Sequence, residues 1–467
     1  MKKIIVVLAL LGSMLGLASC EEQLFQSPIT SKELSNFLRN EIEVEEYVNA
    51  VYANLQTNGL YGRDLPAFVE IPSDNTYSEV PANDGGNYGQ LDLFTTIPAN
   101  TLTTDAWQQS YRTIQRANVV LNRIDKITYA VAATKQARIG EMKFIRALLY
   151  FNLVRLYGDV PLVVEETVDP NDYFGKGRTP SAQVYTQIVK DLTEAITALP
   201  ETSTQAGRVV KTAAQTLLAK VLLTQKNYAE ARTLLLAVVA SGRHTLLPDP
   251  ATVFSITNEN NREIIFAVQF ASGVNGNTEG STMFQQFAPS GTVSGAKGHN
   301  LPTKSLYALY ATTDKRRGTY LTATASGIPW GRKLTQPTVI TDGGSDVVIL
   351  RYADVVLMLA EVENELGNAT AAATNLNLIR TRAALANTTA TTQTTLRAAI
   401  DLERRLELVN EGHRWFDLLR TGTAIQVMND WFKANNILVT ITAKDLLMPI
   451  PQSQIDTDPA IKQNPGY

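Results

Sequence analysis

The chain has 467 residues, with 42 lysines and arginines against 45 aspartates and glutamates, a formal net charge of −3. Mild acidity without a basic stripe excludes a surface built to neutralise nucleic-acid phosphates. A single cysteine excludes a disulfide framework, so the hydrophobic 44% of the chain must supply the core.

Residues 1–19 have the layout of a secretory signal peptide. Lys2 and Lys3 precede an apolar run from Ile4 to Ala18 broken only by Gly12, Ser13 and Gly16. That run is shorter than the roughly 20 apolar residues of a membrane span, and no later stretch approaches one. Leu17-Ala18-Ser19-Cys20 resembles the lipobox of bacterial lipoproteins, whose cysteine is acylated and becomes the new N-terminus. The resemblance implies palmitate-type chains on Cys20 and a lipidated tether over residues 20–40, each buried methylene adding about 0.8 kcal/mol of membrane affinity. Glu21 and Glu22 resemble the surface-export signal of Bacteroidetes-type lipoproteins. Loss of Lys2 and Lys3 with the leader takes the 42 basic side chains to 40 against 45 acids, a net of −5.

Helical periodicity dominates the rest. Ser31 caps a predicted helix carrying Leu34, Phe37, Leu38, Ile42 and Val44, continued by Tyr47, Val48, Val51, Tyr52 and Leu55 to a stop at Asn58-Gly59. Trp107, Tyr111, Ile114, Ala117, Val120, Leu121 and Ile124 repeat the spacing, which puts Trp107 on a buried face. Residues 141–157 repeat it again, ending at Gly158-Asp159 with Pro161 beyond. Polar, turn-rich segments at 59–104, 159–180, 241–303 and 320–346 read as loops with short strands such as 263–270. Loops of that length are where a binding site is sought.

Two stretches align with each other. In 217–231 and 358–372, Ala219 and Ala360 are each followed eight residues later by asparagine (Asn227, Asn368) and twelve later by alanine (Ala231, Ala372). Leu235 and Val238 in the first copy correspond to Leu376 and Ile379 in the second. These offsets match the tetratricopeptide pattern, in which small residues let two antiparallel helices approach closely. Further pairs, less well matched, fall at 107–157 and 396–420.

Five blocks together resemble the SusD/RagB family of outer-membrane lipoproteins: 107–124 (WQQSYRTIQRANVVLNRI), 144–162 (FIRALLYFNLVRLYGDVPL), 351–367 (RYADVVLMLAEVENELG), 403–420 (ERRLELVNEGHRWFDLLR) and 447–467 (LMPIPQSQIDTDPAIKQNPGY). The resemblance implies a mainly α fold, a scaffold of tetratricopeptide-like helical pairs with long loop-rich insertions and a few short strands. It implies one domain over 41–467, with an N-terminal part at about 41–240, a loop-rich middle at about 241–346 and a C-terminal part at about 347–467. It also implies a nutrient ligand, an oligosaccharide or polysaccharide fragment, and a SusC-like TonB-dependent β-barrel transporter as partner. Two other readings stay open, a tethered glycan hydrolase and a peptide- or protein-binding helical scaffold.

Glycan hydrolysis needs two carboxyls facing each other across a cleft. Glu361 and Glu365, and Glu403, Glu407 and Glu411, are instead i,i+4 sets expected to form solvated faces, the latter balanced by Arg404 and Arg405. His244, His299 and His413 make no metal-binding cluster, and no cofactor is expected beyond the lipid on Cys20. The turns Asp342–Asp346 and Asn83–Asn87 could offer oxygens to calcium, but neither completes a loop pattern and both are ordinary turn chemistry. The family block containing His413, Arg414, Trp415 and Asp417 is expected to pack and pair charges inside the scaffold. Sugar rings stack on aromatic faces beside amides and carboxylates, so the candidate ligand residues are Asp74, Asn75, Tyr77, Asn87, Tyr88, Tyr320 and Trp330. Replacing Cys20 by alanine is expected to move the protein from the membrane to the soluble fraction, and mass spectrometry of the native N-terminus should read acyl chains.

Overall fold

The computed structural model describes residues 37–467, so the leader, Cys20, and the Ser31 and Leu34 start of the first predicted helix lie outside the described residues. Helix α1 (Glu41–Leu55) begins where Asn40 accepts a hydrogen bond from the Glu43 N–H at 3.1 Å. Phe37 and Leu38 precede it, because Leu38 has a left-handed φ of 65° that breaks the helical path. The segment after α1 is less loop-like than its composition suggests, holding α2 (Asp64–Glu70) and α3 (Asn87–Asp92). Helix α4 (Thr101–Arg123) begins well before Trp107, since Asn100 caps it through the Leu102 and Thr103 N–H groups. Helix α5 (Ala132–Tyr157) likewise starts before residue 141, and ends at Gly158 with φ 73° as its stop signal predicts.

Helices α6 (Ser181–Ala198), α7 (Lys211–Thr224) and α8 (Tyr228–Ala240) follow, then α9 (Tyr352–Glu365), α10 (Ala369–Arg382) and α11 (Gln393–Glu407). They stack in sequence: α1 on α4, α4 on α5, and so on to α8, which packs on α9; α10 and α11 close the row. The aligned repeats are α7–α8 and α9–α10. Ala219, Ala231, Ala360 and Ala372 are all fully buried, as are Leu235, Val238, Leu376 and Ile379. Asn227 and Asn368 share one backbone conformation (φ −82°, ψ 66° and φ −90°, ψ 62°). The residue before each is left-handed, Lys226 at φ 63° and Gly367 at φ 83°. A hydrophobic core reaching from Leu38 to Ile461 joins the two ends of the described residues.

The strands are short. The predicted 263–270 strand is β2 (Ile264–Val268), buried throughout and antiparallel to β6 (Val347–Arg351). β1 (Thr76–Tyr77) pairs with β3 (Leu301–Pro302), and β4 (Leu321–Ala323) with β5 (Pro329–Gly331).

Where β6 runs into α9, Arg351 sits in the interior, donating to Glu263 (3.0 Å), Glu407 (2.7 Å) and Glu411 (2.6 Å). Arg382 bridges Glu263 and Glu407, Arg316 meets Asp314, Glu403 and Glu407, Lys333 meets Glu411, and Arg380 meets Glu403. Five cations thus face five carboxylates. This overturns the expected solvated face: Glu403, Glu407 and Glu411 are buried, because the 310–333 segment and β6 cover that side of α11. Their cations come from remote sequence, which i,i+4 spacing does not reveal. Arg404 and Arg405 turn away, to Asp354 and Asp417 and to Asp74. Glu361 pairs with Arg420 and Glu365 with Arg397. Burial alone would raise the Glu407 carboxyl, but Arg382, Arg351 and Arg316 together hold it well below the usual range.

Removing one member of such a network leaves its partners charged and unpaired. Glu407→Gln is expected to cost about 3–5 kcal/mol in urea unfolding, whereas Arg397→Ala, which breaks the half-exposed pair with Glu365, should cost no more than about 1 kcal/mol.

Candidate functional site

The loop-rich side is held to the helices by charge. Asp74 accepts from Arg414 Nε (2.7 Å) and lies 2.9 Å from Arg405 Nη2, while Arg405 Nε donates to Asn75 Oδ1 (2.6 Å). Burial opposes ionisation of Asp74, but Arg414 and Arg405 prevail and hold its carboxyl below its ordinary value. Glu70 accepts from the backbone N–H groups of Asn410 (2.9 Å) and Gly412 (3.0 Å), and burial pushes it up to about 7. Arg414 begins helix α12 (Arg414–Thr421). As expected of the block that contains it, Trp415 is buried against Phe94, and Asp417 pairs with Arg404 and Arg420. Burial, with Lys220 close by, pushes the His413 imidazole down to about 3 and keeps it neutral.

Past this clamp, β1 carries Tyr77 to the side of Trp330 on β5. The two share an apolar cluster with Phe284, Leu301 and the partly buried Val293, Ile328 and Ile340. Trp330 meets Phe284 edge to face at 6.3 Å, and the Arg332 guanidinium lies 4.8 Å from its indole centroid. Beyond β1, Glu79 accepts from the Ser290 N–H (2.8 Å) and donates its own N–H to the Gly298 carbonyl (2.8 Å). Gly298 has φ 71°, and a side chain there would strike the Glu79 carboxylate.

A second arrangement stands beside it. Tyr88 stacks on His299 at 4.1 Å and its hydroxyl donates to Asp64 (3.2 Å). His299 Nε2 lies 2.8 Å from Asp84 and Nδ1 lies 3.2 Å from the Ser78 hydroxyl. Burial holds His299 below its usual value, so it is neutral and donates from Nε2 while accepting from Ser78. Asn87 accepts from the Thr101 N–H (3.1 Å) and donates to the Asp84 carbonyl (2.8 Å).

The seven sequence candidates therefore divide. Tyr77 and Trp330 come together; Asn87 and Tyr88 lie on the neighbouring segment. Asp74 and Asn75 are buried beneath them in the Arg405–Arg414 clamp. Tyr320 is 1% exposed, with its hydroxyl on Glu407 at 3.2 Å, inside the ionic core and away from the others. Among the four aromatic candidates Tyr77 alone is half-buried; Tyr88 is 2% and Trp330 9% exposed. Exposed Arg332 was missed; it directly follows β5, and only the folded chain brings its guanidinium to the Trp330 ring. In the two turns considered for calcium, Asp342 Oδ2 accepts from the Gly273 N–H, Asp346 Oδ1 from the Phe270 N–H, and Asp84 from Lys297 and His299, while Asp342 Oδ1 and Asp346 Oδ2 stay without a partner among the described residues.

Sequence profiles of known families match most of the chain: the SusD family over residues 322–467, and a SusD-like family described as starch-binding and associating with the outer membrane over residues 30–223. The chain belongs to the SusD family. A curated relative, SusD-like protein P25 of Formosa agariphila, is 27% identical over 96% of this chain and 97% of its own. Among solved SusD structures, a laminarin-binding SusD-like protein superposes with a TM-score of 0.81 at 26% identity, covering 92% of this chain and 100% of that one. A SusD homolog from Bacteroides thetaiotaomicron gives 0.82 at 22% identity, covering 94% and 100%, a likeness of fold.

Beneath the SusD face, burial pushes the Asp92 carboxyl up to about 7 while its Oδ2 accepts from the Ser78 N–H (3.2 Å). A carboxyl raised in the folded state favours folding below its unfolded pKa, and that contribution is lost as pH rises through about 7. Asp92→Asn should accordingly flatten the part of the stability decline between about pH 4 and pH 7 that this group causes, read as denaturation midpoints across that range.

Proposed function

We propose that this SusD family member is a lipid-anchored outer-membrane protein facing the cell exterior. It binds an oligosaccharide or polysaccharide fragment and hands it unchanged to a SusC-like TonB-dependent β-barrel transporter. The observation that carries the ligand reading is the half-buried Tyr77 ring in one apolar cluster with Trp330, with Arg332 at that indole and Glu79 near Tyr77, in a chain that shares its fold with a laminarin-binding relative. An aromatic face suits the C–H side of a sugar ring, while guanidinium and carboxylate groups suit its hydroxyls. Asn87 lies on the neighbouring segment with the buried Tyr88; Asp74 and Asn75 fix the backbone from below, and Tyr320 lies apart in the ionic core.

The lipid anchor supports the partnership physically, since a flexible tether holds a binding lid at high effective concentration beside its barrel. Copurification from solubilised outer membranes is expected to recover a large β-barrel protein.

A glycan array with the mature protein identifies the ligand. Tyr77→Ala should then weaken that ligand about tenfold or more, about 1.4 kcal/mol. Tyr320→Phe should lower the unfolding midpoint while leaving affinity within about twofold, because it loses only a buried hydrogen bond. Chromatography of the bound glycan after incubation should show unchanged chain lengths; shortening would overturn the binding reading in favour of a hydrolase.

A further inference from the structure

Between the helical stack and the loop-rich side lies a cavity of about 100 Å³. Its wall is drawn from α2, α5, α7, β6, α9 and α12, and much of it is apolar, including Leu148, Leu217, Met283, Val347 and Met358. That volume holds several waters or one small organic molecule. Tyr77, Trp330 and Arg332 are not part of this wall.

The cations on the wall are matched, with one exception. Lys220 lies 2.7 Å from Asp354, Lys333 pairs with Glu411, Arg404 with Asp354 and Asp417, and Arg420 with Asp417 and Glu361. Among the described residues, Arg155 has no carboxylate oxygen within 4.0 Å. Its Nε donates to the Phe151 carbonyl (2.8 Å) and its Nη2 to Asn152 Oδ1 (2.7 Å), and Nη1 has no hydrogen-bond acceptor among the described residues. Phe151 and Phe416 cover the two faces of the guanidinium, each ring centroid 3.6 Å from Cζ. A further partner can therefore approach only edge-on, the direction in which a carboxylate meets a guanidinium. Burial lowers Arg155 to about 10, which leaves it charged at neutral pH.

Asp417, also on the wall, attracts Arg155 only from beyond ion-pair distance, and a cation so placed is costly where the other wall cations avoid that cost by direct pairing. We propose that this cavity is a second ligand site, specific for a short aliphatic carboxylate whose oxygens meet the free edge of Arg155 and whose alkyl chain lies against Leu217, Met283 and Met358. A ligand so placed touches the helical stack through Arg155, Leu217 and Met358 and the loop-rich side through Met283, and by binding only the folded chain it stabilises the join between them.

Propionate is the probe, with propionamide as its neutral isostere, on the full mature chain at constant ionic strength. Calorimetry should show saturable propionate binding, at least tenfold weaker for propionamide and for Arg155→Gln, and propionate should raise the unfolding midpoint. Equal affinity for propionamide would overturn the proposal, as would an equal midpoint shift from sodium chloride alone. Should Arg155→Gln fail to fold, wild-type crystals soaked in 3-bromopropionate decide: a bromine anomalous peak inside the cavity supports the site, and ordered water alone there refutes it.

Discussion

The architecture turns on one guanidinium. Arg351, fully enclosed, contacts Glu263 before β2, Glu407 at the end of α11 and Glu411 in the turn beyond. A charge removed from water must be neutralised by fixed partners, so the three acids and the elements that carry them have little freedom in where they sit. Arg316, Arg382 and Lys333 extend the same demand to the 310–333 segment and to α10. Apolar packing among the stacked helices is non-directional; the ionic core supplies the directional part and fixes how the irregular side is set on the regular one.

From that core the constraint runs outward to the surface. The 70–77 segment is tied down twice, by Glu70 on the Asn410 and Gly412 amides and by Asp74 and Asn75 on Arg405 and Arg414. Only then does β1 pair with β3 and bring Tyr77 against the Trp330 cluster. A ring held in this way loses little freedom on binding, which is how a rigid surface gains affinity.

The helical stack was legible because its signals are local. Alanine spacing announced the α7–α8 and α9–α10 pairs, and the buried alanines show why that spacing is needed. The first predicted helix wrongly ran through residues 37–40 and the second was begun too late, at Trp107, because single asparagines, Asn40 and Asn100, cap the helices at Glu41 and Thr101, and a cap depends on side-chain direction as well as residue type. The acids of α11 were misread for a different reason: their partners lie up to 91 residues away in sequence. Likewise Asp74, Asn75, Tyr88 and Tyr320 have the composition of ligand residues but sit beneath the surface. Loop polarity tells which residues can hydrogen-bond, not whether water or protein receives the bond.

The Asp74–Arg414 contact joins residues 340 positions apart. Its late partner is supplied by α12, near the end of the chain, and Glu70 waits for the adjoining turn. A ribosome-bound or truncated chain ending before residue 400 would have most of its stacked helices yet lack both latches. Closure of the loop side through these contacts therefore has to await synthesis as far as Arg414, and contacts of such high sequence separation form slowly.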